Sequence, residues 1–106
     1  MRYRVDISTP AYLDAKDYFV YVKDKKESPE AAARWYLGLF DELKKLADFP
    51  KSLPLIPEQH HHRIEIRQFI YHSHRVIFSV DEQKEVVSVL RIYHGAREPL
   101  TPNDLK

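Results

Sequence analysis

The sequence predicts an α+β fold: an N-terminal strand, an antiparallel helical hairpin, then a three-stranded antiparallel meander, in the order β-α-α-β-β-β. Three observations carry this. Residues 2–7 alternate polar and apolar side chains. Two stretches of helical period fill residues 9–48, each opened by a hydroxyl residue followed by proline. The last third, IRQFIYHSHRVIFSVDEQKEVVSVLRIYHGAR (66–97), reads as three strands with tight connections.

In the first element Tyr3, Val5 and Ile7 point one way and Arg2, Arg4 and Asp6 the other, the pattern of a half-buried strand. Thr9-Pro10 supplies an N-cap followed by proline at the first helical position. Ala11, Ala15, Tyr18, Phe19 and Val22 then share one face, and the polar run 24–27 ends the helix. Ser28-Pro29 repeats the signal for a second helix reaching about Asp48. Its stripe is Ala33, Tyr36, Leu37, Phe40, Leu43 and Ala47, widened by Leu39 and Leu46. A connection this short makes the pair an antiparallel hairpin. Pro50, Pro54 and Pro57 enclose a loop pinned by Leu53, Leu55 and Ile56. Strands are expected near 62–71, 74–81 and 85–93, with the helices on one face of a predominantly antiparallel four-stranded sheet.

A chain of 106 residues is read as a single domain, 1–106, large enough for one real core. A net charge of +1 excludes a general polyanion binder, so nucleic-acid contact would need a local patch. The absence of cysteine excludes disulfides and thiolate chemistry, and two glycines leave no phosphate-cradling loop. No apolar run approaches the roughly 20 residues of a membrane span, and the strand-like start is not a signal peptide. A cytoplasmic protein is the expectation.

Arginines recur near strand ends: Arg67, Arg75, Arg91 and Arg97. Guanidinium groups on a small sheet suit phosphates or a partner's carboxylates. With three-residue turns at 72–74 and 82–84, Arg75 faces Arg91. Ile64, Ile66, Ile70, Val76, Phe78, Val80, Val86, Leu90 and Ile92 then gather under the helices. Arg63, Glu65, Arg67, Phe69, Tyr71, Arg75, Ile77, Val87, Val89, Arg91 and Tyr93 gather on the second face. A one-residue slip in either turn undoes the assignment. A like-charge pair costs up to about 1 kcal/mol unless an anion sits between the partners. Two readings follow. In one, a loop or the C-terminal tail covers this face and the arginines reach Asp and Glu at its rim. In the other, the face is the site, covered by a partner segment at rest.

The chain resembles the RelE/ParE superfamily, the toxins of bacterial type II toxin–antitoxin systems, often called plasmid stabilisation proteins. The resemblance rests on Val5-Asp6-Ile7-Ser8-Thr9-Pro10, on Ala32, Trp35 and Leu39, and on Leu46 with Phe49-Pro50. It continues through Ile66-Arg67, Arg75-Val76-Ile77-Phe78, and Val86-Val87-Ser88-Val89-Leu90-Arg91 running into His94-Gly95-Ala96-Arg97, covering residue 3 to about 100. It implies the same β-α-α-β-β-β fold, a cognate antitoxin partner, and no cofactor. It also implies one of two targets. RelE-like members enter the ribosomal A site and cleave messenger RNA. ParE-like members poison DNA gyrase. A decayed toxin that keeps only antitoxin binding is a third possibility.

Metal-free RNA cleavage needs a base for the 2′-hydroxyl, charge stabilisation at the phosphate, and an acid for the leaving oxygen. The resemblance places Arg75 and Arg97 at the scissile phosphate, and His94, three residues before Arg97, is a candidate acid or base because an imidazole titrates near neutrality. Arg63, Arg67, Tyr71, Arg91 and Tyr93 would line the phosphate or partner face. Trp35, Leu39, Ile77, Val87 and Val89 would meet the antitoxin. His72 and His74 sit at the first hairpin tip. On this reading Arg75→Ala or Arg97→Ala weakens toxicity without unfolding the chain.

Three departures favour the ParE-like, non-nuclease branch. Glu65 interrupts a strand that is basic in RelE, the tail 98–103 lacks the tyrosine found there, and the net charge is low. Three consecutive histidines, His60-His61-His62, alternate faces on a strand and lack further donors, so no metal site is expected. Trp35 and Tyr12, Tyr18, Tyr21 and Tyr36 lie at core spacing on the helices and read as packing before base stacking.

Overall fold

The computed structural model describes residues 2–95 and 102–105. Strand β1 (Arg4–Ile7) leads into helix α1 (Thr9–Asp24) and helix α2 (Pro29–Lys44). Short 3-10 turns carry the chain through 45–61 to β2 (Arg67–Tyr71), β3 (His74–Asp81) and β4 (Val86–His94). The sheet order is β1-β4-β3-β2. β1 pairs parallel with β4, so the sheet is mixed, and the meander is antiparallel.

The helix signals lie one residue from where the sequence places the first. Ser8, not Thr9, caps α1. Its Oγ accepts from Ala11 N at 3.1 Å and donates to Leu90 O at 2.9 Å, tying the helix start to β4. Ser28 caps α2 as expected, with Pro29 in its first turn. Along α2 the buried stripe is Ala32, Leu39 and Leu43, continuing into Leu46 and Ala47, while Leu37 is exposed.

Three register details overturn the expected faces. The first hairpin turns through two residues, pairing Tyr71 with His74, and the second loop pairs Asp81 with Val86. Each is one residue off the three-residue turns expected. A β-bulge then leaves Leu90 unopposed, because Ile77 pairs with Arg91 but Phe78 pairs with Val89. Arg75 therefore faces Tyr93, not Arg91, and the like-charge pair does not form. Phe69, Tyr71, Val87 and Val89 turn to the helices, with Val76, Phe78 and Ile92. Ile66, Ile77, Tyr93 and Leu90 form a second cluster with Ile56 and Leu105, so the other face is covered by the 53–66 loop and the C-terminal 102–105 segment. Val76, Phe78, Val80 and Ile92 keep the side the sequence assigned, while exposed Ile70 and Ile64 do not reach the helix core.

Gly38 sits mid-helix, where glycine costs about 1 kcal/mol relative to alanine. A Cβ there would collide with the Tyr71 hydroxyl, which donates to Trp35 O at 3.0 Å. Gly38→Ala is expected to destabilise the wild-type chain by about 1 kcal/mol and to stabilise the Tyr71→Phe variant by a similar amount. Urea denaturation of the four-member cycle reads this change of sign.

Candidate functional site

The arginines sort into two clamps on the loop-covered face. Arg75, on β3, is held by Glu58 from the proline-bounded loop. Its Nη1 and Nη2 donate to the two Glu58 oxygens at 2.8 Å each, and its Nε donates to Gln68 Oε1 at 2.7 Å. Both charged side chains are nearly out of solvent, 13% exposed for Arg75 and 10% for Glu58. Bidentate geometry with a third acceptor is what makes a buried pair tolerable.

Arg91, on β4, makes the second clamp with Asp14 of α1. Arg91 Nε and Nη2 donate to the Asp14 carboxylate at 2.8 Å, and Ile92 N adds a bond at 2.9 Å. Asp14 raises the Arg91 pKa above its already high ordinary value through this hydrogen bond. The guanidinium lies 4.5 Å from the Tyr93 ring centroid, and both Arg91 Nη1 and Tyr93 Oη donate to Asp104 O. Arg67 donates to Leu53 O at 2.6 Å and meets Glu65 at 3.3 Å, while Arg63 is exposed.

At the same end of the sheet, on its helix-covered side, lies an aromatic cluster. His74 packs between Tyr18 (ring centroids 4.3 Å apart), Trp35 (5.0 Å) and His94 (5.2 Å). It is 3% exposed, and its Nδ1, like Trp35 Nε1, is buried with no hydrogen-bond partner among the described residues. Burial, followed by the charges of His94 and His72, lowers the His74 pKa to about 4, with Asp14 opposing. The imidazole is thus neutral at pH 7. Because the unfolded chain takes up this proton near pH 6.5 and the folded chain near 4, His74 withholds no stability above pH 6.5. As pH falls from 6.5 to 4 it removes about 3 kcal/mol. Urea titrations at pH 7.5 and 4.5 are expected to show this loss in the wild type and not in His74→Phe.

Of the residues singled out in the sequence, Arg75, Arg91 and Tyr93 come together on one face. His94 lies at the exposed sheet end beside His74. Tyr71 faces the helices instead, bonded to Trp35 O, and burial followed by Glu42 and Asp41 raises its pKa. Arg97 lies outside the described residues. Leu39, Ile77, Val87 and Val89 are each 0% exposed and cannot present a surface to an antitoxin without unfolding, whereas half-buried Trp35 borders open space with Arg34 and His72. Asp14 and Glu58 were missed. Asp14 left a signal, standing three residues after Ala11 and four before Tyr18 on the buried stripe, where a carboxylate demands a partner. Glu58, in an aperiodic loop, left none.

The sequence profile of the ParE toxin of type II toxin–antitoxin systems, parDE, matches residues 5–99. The chain belongs to this family. ParE membership makes it the toxin type of such a system, within the wider ParE/RelE group. The solved structures it resembles carry the same fold. They include the chromosomal ParDE system from P. aeruginosa (TM-score 0.67, 16% identity, 88% of this chain and 96% of that one). The toxin–antitoxin complex RelBE2 from Mycobacterium tuberculosis follows (0.64, 18%, 92% and 95%). The archaeal RelE–RelB complex from Pyrococcus horikoshii OT3 also matches (0.55, 20%, 92% and 100%). No curated protein sequence matches. Among the described residues of this ParE-family chain, no group of three or more metal-ligating side chains converges, and no helix is long and apolar enough to cross a membrane.

Proposed function

We propose that this chain is a growth inhibitor neutralised by a cognate antitoxin, and that it acts by docking on a protein target in the ParE manner, with DNA gyrase the favoured target, rather than by cutting RNA. One observation supports this reading above the others: the strand arginines are already neutralised from within. Arg75 is held bidentately by Glu58 and Arg91 by Asp14. A phosphate approaching either guanidinium would have to displace a carboxylate that is already desolvated and in ideal geometry. His74 adds nothing to the charge, since burial keeps it neutral. A nuclease built on electrostatic stabilisation needs cations free to meet developing charge. A protein-docking toxin does not. The antitoxin is inferred from the family and from the complexes in which the related toxins were solved.

The test is supercoiling of relaxed plasmid by purified gyrase with increasing amounts of the purified chain. Loss of supercoiling, relieved by the co-expressed antitoxin, is the expected result. Unimpaired supercoiling from a preparation that arrests growth would overturn the gyrase reading.

A further inference from the structure

We propose that His60 and His61 form one half of a metal site, and that a divalent transition-metal ion, zinc foremost, joins two copies of the chain by taking this pair from each. Such self-association is independent of which target the toxin poisons.

Half of the six histidines stand together at 60–62. On a strand they would alternate faces. The structure puts them on a turn instead. Gln59–His61 is a 3-10 helix with His62 as its C-cap, and β2 begins only at Arg67. His60 and His61 are both exposed, and their rings lie side by side, with centroids 3.9 Å apart at 42°. Among the described residues neither ring makes a hydrogen bond or an ion pair. Two neighbouring imidazoles with uncommitted nitrogens are a chelate for a metal that accepts nitrogen ligands.

The turn that carries them is tied down on several sides. His61 N donates to Glu58 O at 2.9 Å and His62 N to Gln59 O at 3.0 Å. Gln59 Nε2 donates to Ile64 O at 2.7 Å, and Gln59 Oε1 accepts from Ile66 N at 2.8 Å. Just before the turn, Ile56 is buried in the second cluster and the Glu58 carboxylate is gripped by Arg75. Binding an ion therefore has to order two side chains and no backbone, which keeps its entropic cost low.

Bond lengths set how far those side chains move. A Zn–N bond of about 2.0–2.1 Å places each ring centroid about 3.1 Å from the ion, so two imidazoles at the tetrahedral angle have centroids about 5 Å apart. The pair has to open by about 1 Å from its 3.9 Å separation, which rotation of two exposed side chains supplies.

Two ligands do not close a zinc site, which takes four. The chain does not supply the rest. Among the described residues no third histidine or carboxylate converges on the pair. Glu58 and Glu65 are taken by Arg75 and Arg67, and His62 Nε2 is buried. A second copy does supply them. A two-fold axis through the ion repeats each residue, so the pair from each chain completes four nitrogens around one ion.

The experiment is sedimentation velocity of the untagged full chain, stripped with EDTA and titrated with zinc sulfate, with cobalt chloride as a parallel probe of coordination geometry. The expected result is conversion of monomer to dimer, complete at one zinc per two chains and reversed by EDTA, with cobalt giving the intense visible absorption of a tetrahedral site. His60→Gln and His61→Gln are each expected to weaken zinc binding at least about tenfold and to remain monomeric. Both positions are exposed, so each variant should keep the wild-type Tm in EDTA. His72→Asn, at an exposed turn elsewhere, should keep the zinc-dependent dimer. No dimer with zinc, binding of one zinc per chain without a dimer, or a dimer that persists in EDTA would overturn the proposal. So would a zinc-dependent dimer that survives in both glutamine variants.

Discussion

Replacing Arg75 by alanine is expected to cost about 3–5 kcal/mol of folding stability and to lower Tm by on the order of 10 °C or more. The substitution leaves the Glu58 carboxylate, 8% exposed as a residue, without the guanidinium that neutralises it, and strips Gln68 Oε1 of its donor. The loop carrying Glu58 would lose its tie to β3, keeping Ile56 and the Gln59 bonds to Ile64 O and Ile66 N. The site reading of the sequence gave the opposite expectation, an active-site arginine whose loss spares the fold. The covered-face reading had the arginines reaching Asp and Glu, as Arg75 and Arg91 do. Double replacement decides between them. If the pair is structural, Glu58→Met combined with Arg75→Met recovers most of the stability lost in Arg75→Met, because no buried charge is left uncompensated. Thermal unfolding of both variants measures the coupling.

The second large effect is expected at Asp14. Asp14→Ala removes three bonds at once, two from Arg91 and one from Ile92 N, across the α1–β4 interface. Arg91 would remain packed against Tyr93 with, among the described residues, the Asp104 carbonyl as its hydrogen-bond partner. Its side chain is 23% exposed, which lets water offset part of the loss, so the cost is placed at about 2–4 kcal/mol. Asp14→Asn keeps one acceptor for Ile92 N and is expected to cost less. Chemical denaturation of the two variants reads the difference. Equal losses would show that the ion pair, not the backbone bond, carries the clamp.

These effects mark where the sequence was legible. The helical hairpin was, because serine-capped, proline-opened helices with apolar period announce themselves locally. The strands were as well, except that the first of the meander begins at Arg67 rather than near 62, after a 3-10 turn at Gln59–His61. The faces of the sheet were not, for a physical reason. Pleat parity depends on each turn length and on every bulge. His72 and Glu85 take positive φ without being glycine, so the tight turn at 72–73 and the longer loop at 82–85 carried no glycine signal. The bulge at Leu90 is fixed by Ser8, eighty-two residues away in the chain, whose hydroxyl bonds the Leu90 carbonyl. The arginines were visible in the sequence, but their partners lay in distant elements. Asp14 was recoverable from its place on a buried stripe. Glu58 was set by a loop path that no periodicity encodes.

The clamps also bear on function. An arginine spent on holding a loop or a helix is unavailable to a phosphate, which is why the protein-docking reading is preferred over nuclease chemistry. The most direct test is primer extension on messenger RNA bound to translating ribosomes, with the purified chain in excess over the ribosomes. The account predicts no new 5′ ends. New ends within A-site codons, retained in a folded Glu58→Met/Arg75→Met variant or lost from it, would contradict the account and return the chain to the ribonuclease branch.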